Sequence, residues 1–396
     1  AAYARPSDDD PRQGRGDTAT HKLFVERMVT LLQNQGRIGY VVPSGIYTDL
    51  GTKDLREMLL NEGHIQYIYS FSNERFFFPG VDHRFKFALL GAQKGPQTDG
   101  FWAAFRFNPR VAVAPDDLPA FLADPANLIY MRRASLERFS PDSLSVMEFQ
   151  TQRDYSIAER IYGDQPLIGE EVPDTWNMKF AAEFHMTNDR HLFNTSHRGL
   201  PLYEGKMIHQ FDAFYGEPQY WIEEAKGAER LESKTGADYR RIRLAFRDIA
   251  RSTDERTLIS AVLPPRVFCN NKTPLVNVLD SSKYEATVLY LSGLLNSFVL
   301  DFVIRYKVSV TLNFFFMETL PVPRLFPGDP YFDAIVPRAA RLTCTRPEFA
   351  DLWREVMGSA WDDSSGATDP AERQRLRDEI DAIVAHLYGL SRADFD

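Results

Sequence analysis

Three consecutive phenylalanines, Phe76 to Phe78, run into Pro79-Gly80 in the stretch RFFFPGVDHRFKFALLGA, residues 75–92. A Pro-Gly pair marks a turn, where a chain leaves its core. One ring there can pack inward and one can lie over the next strand. The third is left to face a ligand with a flat π surface, unless all three are buried. Upstream, VVPSGIYTD puts Pro43, Ser44 and Gly45 at the end of an apolar strand, the edge at which open α/β sheets place ligands. The same residues equally suit a plain strand-to-helix turn capped by Ser44 or Thr48. His83 and Arg84 could reach a phosphate, but neither has a sequence partner for acid-base catalysis, and no catalytic triad or metal-ligand spacing is present.

A second constellation is cationic. YRRIRLAFRDIARSTDER, residues 239–256, sets Arg240, Arg241, Arg243, Arg247, Arg251 and Arg256 against Asp248, Asp254 and Glu255. Strand alternation would send Arg243, Ala245, Arg247 and Ile249 to one face, with Leu244 and Phe246 packing behind. LYEGKMIHQFD adds Tyr203, Lys206, His209 and Gln210 around Gly205, and YKVSVTLNFFF adds Lys307, Thr311 and Asn313. Arginine and lysine fork onto guanine edges or sit on phosphates. The competing reading is a solvated strand face whose arginines pair with their own carboxylates.

These groups need elements to position them. Asp17 or Thr18 can cap a helix with Phe24, Met28, Leu31 and Leu32 at helical spacing, ending near Gly36. RIGYVVPSG follows as a strand apolar enough to be covered on both faces. TKDLREMLLNEG reads as a helix, and IQYIYSF, RFKFALLGA and GFWAAFRF read as strands. The pattern is the closing half of an α/β sheet that ends in a hairpin in place of another crossover helix. Residues 1–108 thus form one unit, with 1–17 as a polar, mobile start. Residues 109–170 read as a connecting segment containing a helix in QTQRDYSIAERIYGD, 171–325 as an α+β, strand-rich unit around one long apolar helix from Glu285 to Lys307, and 326–396 as a helical segment. In its last helix Leu376, Ile380, Ile383 and Leu387 share a side.

Composition sets bounds. The chain has 396 residues, 44% hydrophobic and 26% charged, which is globular and too long for one ordinary core. No apolar run is long enough to cross a bilayer and the start has no apolar signal core, so the expected compartment is the cytoplasm, with no membrane partner. Cys269 and Cys344 stand far apart without a CxxC or histidine cluster and read as buried or incidental thiols. A net charge of −9 opposes nonspecific nucleic-acid binding by the whole surface but leaves room for a local basic face.

Five stretches taken together carry a resemblance: FVERMVTLLQNQGRIGYVVPSGIYTDLGTKDLREML, FFFPGVDHRFKFALL, PLYEGKMIHQFD, RLAFRDIARSTDERTLISAVLPP and LLNSFVLDFVIRYKVSVTLNFFFMETLPVP. In that order they resemble the later part of an N6-adenine DNA methyltransferase of the class gamma, type IIG restriction-modification and phage-defence kind. The resemblance implies a Rossmann-like domain that binds S-adenosylmethionine, followed by a target recognition domain that reads double-stranded DNA. It implies methyl transfer to the exocyclic amine of an adenine swung out of the duplex, with Phe78 stacking on the flipped base and Phe76 and Phe77 packing as core or strand edge. Pro43 and Ser44 would wall the pocket. Lys206, His209, Arg243, Arg247, Arg251, Lys307 and Asn313 would face DNA.

The departures bear equally on the reading. No glycine-rich cofactor loop follows an apolar strand, and no Asn-Pro-Pro-aromatic tetrapeptide is present; the one Pro-Pro pair lies in VLPPRVF. On this reading the chain lacks its cofactor-binding half and is inactive alone, its protein partner being that half or a nuclease domain or subunit. The alternative is a non-catalytic DNA-recognition module similar to a restriction specificity subunit, although such a reader has no need of the sheet segment from GRIGYVVPSG to FALLG. Nuclease chemistry within the chain would need an Asp, then Asp or Glu, one residue and Lys on one sheet edge, and neither PDDLPAF nor PDTWNMK continues that way.

Overall fold

A computed structural model describes residues 19–232, 238–251, 253–308 and 311–395. The start expected as a mobile loop, and the caps Asp17 and Thr18, lie outside the described residues. The chain is a mixed α/β protein of two compact units, the first ending at Tyr162 and the second beginning at Gly163.

In the first unit, α1 (Thr20–Leu31) precedes β1 (Arg37–Pro43), a short helical turn, α2 (Lys53–Asn61), β2 (Gly63–Ser72), β3 (Lys86–Lys94), β4 (Gly100–Arg106), β5 (Ile129–Arg132) and α3 (Gln152–Tyr162). The sheet order is β1-β3-β2-β4-β5. Strand β3 runs antiparallel to both β1 and β2 and lies between them, so β1 and β2 point the same way, joined by the α2 crossover. Strand β4 lies parallel to β2 and β5 antiparallel to β4. The apolar periodicity of β2 and β3 buries Ile65, Ile68, Phe71, Phe87, Leu90 and Ala92. The expected hairpin is formed by β2 and β3 but lies inside the sheet, with β3 inserted between β1 and β2, and β5, which falls in the expected connecting segment, belongs to the sheet.

Two expectations about coverage fail. Strand β1 alternates, with Ile38 and Val42 buried and Val41 54% exposed, because it is an edge strand of the described sheet. Helix α1 buries Val25 and Val29, whereas Phe24 and Leu31 of the expected apolar face are each 62% exposed.

The second unit contains two four-stranded sheets, one in the order Ser260–Leu263, Arg243–Phe246, Leu275–Leu279, Asn177–Ala181 and the other in the order Phe268–Cys269, Leu200–Tyr203, Tyr220–Ile222, Phe193–Asn194. The first is built from β6 (Asn177–Ala181), β10 (Arg243–Phe246), β11 (Ser260–Leu263) and β13 (Leu275–Leu279), all antiparallel. The second holds β7 (Phe193–Asn194), β8 (Leu200–Tyr203), β9 (Tyr220–Ile222) and β12 (Phe268–Cys269), with β12 parallel to β8. The long apolar helix is two helices, α4 (Tyr284–Leu295) and α5 (Phe298–Arg305), meeting at 57°. The break has a local cause. The Asn296 side chain donates to Ser260 O at 3.0 Å and accepts from Ser260 N at 3.0 Å, while Ser297 Oγ caps α5 by accepting from Leu300 N. Helices α6 (Phe314–Glu318), α7 (Pro330–Thr343), α8 (Ala350–Met357) and α9 (Pro370–Leu387) follow, and α7 and α9 pack on α4, so the expected separate helical segment is part of this unit. Among the described residues no single helix is long and apolar enough to cross a membrane. Both thiols are buried and free, and burial raises both above the ordinary cysteine value.

Candidate functional site

In the first unit the sheet order brings the Pro43 and Phe78 segments together. Pro43 pairs with Phe87 across β1 and β3, and Phe71 pairs with Phe87 across β2 and β3. Phe87 is buried and forms a platform: Phe71 lies 5.9 Å from its ring centroid, Phe77 5.2 Å and Phe78 5.0 Å. The Phe78 ring meets Phe87 edge-on at 87° and remains 39% exposed. That is the geometry of an aromatic plate supported from below with ring surface left open. Phe77 is half-buried and packs as expected, but Phe76 does not: it is 59% exposed, in the left-handed region at φ 52°, where it terminates the turn Asn73–Arg75.

The Phe78 loop is held by Asn73, a fully buried residue the sequence reading did not single out. Its Nδ2 donates to Phe78 O at 3.0 Å and Val81 O at 2.9 Å, and its Oδ1 accepts from Phe78 N at 3.0 Å. A buried asparagine satisfied only by loop backbone fixes a loop as a backbone turn would. Its sequence signal, an Asn five residues before the aromatic, is too common to have found it. Beneath the platform a polar chain ties the strand ends together. Tyr47 Oη lies 2.8 Å from Ser70 Oγ and 2.9 Å from Glu148 Oε1, Ser70 Oγ donates to Phe87 O at 3.0 Å, and Lys86 Nζ donates to Glu148 Oε2 at 2.7 Å. Burial, with Glu148 next to it, raises the Tyr47 phenol well above its ordinary value, so it stays a neutral hydrogen-bonding group. Tyr47 and Glu148 lie 101 residues apart, a separation that spacing within a motif cannot register.

Pro43 is exposed and Ser44 half-buried at the rim of this region. Ser44 makes no side-chain cap; its carbonyl instead accepts from Thr48 Oγ1 at 3.2 Å. Arg84 and Asp82 form their own exposed pair, at 2.8 Å, which holds the Asp82 carboxyl well below the usual carboxylate range.

The cationic residues of the second unit divide by burial. Arg243 is 1% exposed and forms a buried ion pair with Glu183, whose Oε2 accepts from Cys269 N at 2.7 Å. Its second terminal nitrogen donates to Val267 O. The expectation that Arg243 faces DNA is therefore corrected: all four residues of β10 are buried, so both of its faces are covered and alternation does not separate a wet face from a dry one. Arg247 is half-buried, and its guanidinium is spent on backbone. Its Nε donates to Gly205 O at 2.9 Å and Ile208 O at 3.0 Å, and Nη2 to Ile208 O at 2.5 Å. It therefore organises the Lys206–His209 turn, and the close approach allowed by Gly205 is real, since an added Cβ would lie 2.6 Å from Lys272 O.

Lys206 is exposed and 3.3 Å from Glu204, and Arg251 and Asn313 are exposed. His209 is half-buried with its ring 4.8 Å from that of Tyr215; burial lowers the imidazole below its ordinary value, and Arg247 and Arg377 lower it further. Lys307 is half-buried, its Nζ 2.5 Å from Thr319 Oγ1, and burial pushes its ammonium down to about 7. Of the cations expected to face DNA, those open to a ligand are therefore Lys206 and Arg251, with Asn313 as a neutral donor and acceptor. Reading by residue type also passed over loop 194–199. There the Asn194 carbonyl oxygen accepts from Ser196 N and Arg198 N, and its amide donates to Arg198 O and Trp221 O, presenting His197 stacked on Trp221 at 3.8 Å.

Solved structures similar to the chain include a type IIL restriction-modification enzyme, MmeI, in complex with DNA, at 13% identity and TM-score 0.48, covering 93% of this chain and 49% of that one. A DrdV–DNA complex matches at 9% identity and TM-score 0.41, over 81% of this chain and 38% of the other. The type IIG restriction endonuclease BpuSI matches at 14% identity and TM-score 0.30, over 96% and 50%. The chain thus spans about half the length of the structures it matches first. No curated protein matches it. Residues 7–77 match the Eco57I restriction-modification methylase family, a segment that ends one residue before Phe78.

Proposed function

We propose that the chain is part of a site-specific DNA methyltransferase of a restriction-modification or phage-defence system, acting on N6 of an adenine flipped out of the duplex. The observation that carries the reading is the match of residues 7–77 to the restriction-modification methylases, running up to the supported ring of Phe78. A flipped base loses its stacking, at a cost of a few kcal/mol, and an aromatic plate returns part of it. On this reading Phe78 supplies the plate, Phe87 and Asn73 hold it, Pro43 and Ser44 form a rim, and Lys206, Arg251, Asn313 and the Arg247-braced turn meet DNA.

The donor in such a reaction is S-adenosylmethionine, which supplies the methyl group. The described residues do not fit it. The turn after β1 is Pro43-Ser44-Gly45, which is not a glycine-rich loop, and the Asp49 carboxylate, a group that repels a carboxylate-bearing donor, lies beside Gly45. We assign no residue here to the donor and expect a further α/β segment to hold it. The exposed edge of β1, with Val41, and the exposed Phe24 and Leu31 of α1 support a segment docking there.

The test is methyl transfer from labelled S-adenosylmethionine to duplex DNA by the chain joined to its cofactor-binding half. Losing a stack worth roughly 1–3 kcal/mol should lower the rate of Phe78→Ala about 5- to 150-fold with folding intact. An unchanged rate removes Phe78 from the site, and methylation by this chain alone overturns the assignment of the donor to another segment.

A further inference from the structure

We propose that a cleft in the second unit, between the His209 turn and the C-terminal helix α9, is a binding site for a phosphate group, held by Arg256 and Arg377. The cleft has a volume of about 250 Å³ and is lined by His209, Arg247, Arg256, Phe298, Gln374 and Arg377, among others. It shares Arg247 and His209 with the turn assigned to DNA above, but the residues proposed to hold the phosphate, Arg256 and Arg377, are not part of that assignment.

The argument rests on Arg256. Its side chain is 9% exposed, its Nη2 lies 3.4 Å from Asp381 Oδ2, and its guanidinium lies 3.3 Å over the ring of Phe298. Its Nη1 is buried with no hydrogen-bond partner among the described residues, and neither has the buried Nε of Arg377. Arg377 is held on its other side, where Nη2 donates to Gln374 Oε1 at 2.6 Å. A buried charged donor left unmade costs more than an ordinary hydrogen bond returns, so such groups in a cleft point to a ligand that accepts from them. Guanidinium forks match phosphate oxygens, which accept several donors at once.

The other charges facing the cleft define the ligand further. Asp254 and Glu255 lie at the exposed rim, and Asp381 lies behind Arg256, already engaged by the Phe298 amide at 2.7 Å. With three guanidiniums and two carboxylates lining it, the cleft does not collect anions by net field; an anion is held there by directed donors. Phe298, 47% exposed, offers a ring surface, so a phosphate carried on a nucleoside fits the chemistry of the lining. The phosphate could be that of a free nucleotide or of a DNA strand.

Thermal unfolding of the full chain in inorganic phosphate and in a nucleoside monophosphate, each against chloride at matched ionic strength, tests this. At roughly 100 times its Kd a ligand should raise Tm by about 5 to 10 °C. The rise should vanish in Arg377→Gln and in Arg256→Lys, with Arg377→Gln decisive should Arg256→Lys fold poorly. Displacement of the bound monophosphate by a short duplex would identify a strand phosphate as the source, and retention would identify a free nucleotide. No rise in the unaltered chain, or an equal rise in Arg377→Gln, overturns the proposal.

Discussion

The ion pair between Arg243 and Glu183 separates a core role from a DNA-facing one, and the separation can be measured. Both side chains are at most 2% exposed, and the pair is stitched into β12 through Cys269 N on Glu183 and Val267 O on Arg243. Removing one partner strands the other charge in the interior, which costs roughly 3–5 kcal/mol, whereas replacing both by apolar groups of similar volume is often neutral or stabilising. For a unit of this size about 2–4 °C of Tm accompanies each kcal/mol. Glu183→Leu should therefore lower the unfolding temperature of the second unit by about 6 to 20 °C. Arg243→Met/Glu183→Leu should restore most of that loss, and a fluorescence-anisotropy titration should then show duplex affinity within about threefold of the unaltered chain, inside the ~1 kcal/mol of a single ordinary hydrogen bond. If the double variant regains its stability but loses DNA affinity tenfold or more, or if Glu183→Leu leaves Tm unmoved, the burial argument fails and Arg243 returns to the interface.

Three other expectations follow from the same geometry. Asn73→Ala should cost about 1–3 kcal/mol for the loop carbonyls it leaves unmet and should speed amide hydrogen exchange at Phe78 and Val81; unchanged exchange at both would show that Asn73 does not hold the loop. Arg247→Lys should not rescue Arg247→Ala, because one ammonium cannot replace a fork on two carbonyls, and neither should change the salt slope of DNA binding; a slope falling by about 1 would make Arg247 a phosphate contact. Burial holds the Asp381 carboxyl up at about 6, only partly offset by the Phe298 amide and Arg256. A carboxyl raised in the folded state binds its proton there first, so its contribution to stability falls as pH rises from about 4 to 6, by roughly 3 kcal/mol. Asp381→Asn should remove that slope from urea unfolding between pH 4 and 7, and an identical slope in the variant would refute it.

How much of this was legible in the sequence depends on the range of the interaction involved. The helices and strands of the first unit follow from local periodicity, and the Pro-Gly turn marks where Phe78 stands. The placement of β3 between β1 and β2 does not follow, because it pairs Phe87 with both Pro43 and Phe71, residues 44 and 16 positions away, and no local pattern encodes which edge a returning strand takes. Coverage of a strand is likewise a property of its neighbours. The apolar run in β1 suggested two covered faces, yet Val41 lies exposed on an edge strand.

The arginines make the same point from the opposite side. Arg243 and Arg247 stand four residues apart in one apparent register, and alternation treats them alike. What separates them is Glu183, 60 residues upstream in space beside Arg243, and the carbonyls of Gly205 and Ile208 beside Arg247. A guanidinium takes up five donors' worth of partners, so the sequence reports only that it must find them, and the fold decides whether they are its own backbone, a buried carboxylate or a ligand. Arg256 is the case in which the fold leaves that question open. Its partners within the chain satisfy part of the guanidinium and leave one buried terminal nitrogen unmatched, in a residue that lines a cleft. Arg243 also keeps a buried Nε unmatched among the described residues, but it is enclosed in the core, whereas Arg256 lines a cleft, and local alternation had no means of distinguishing the two.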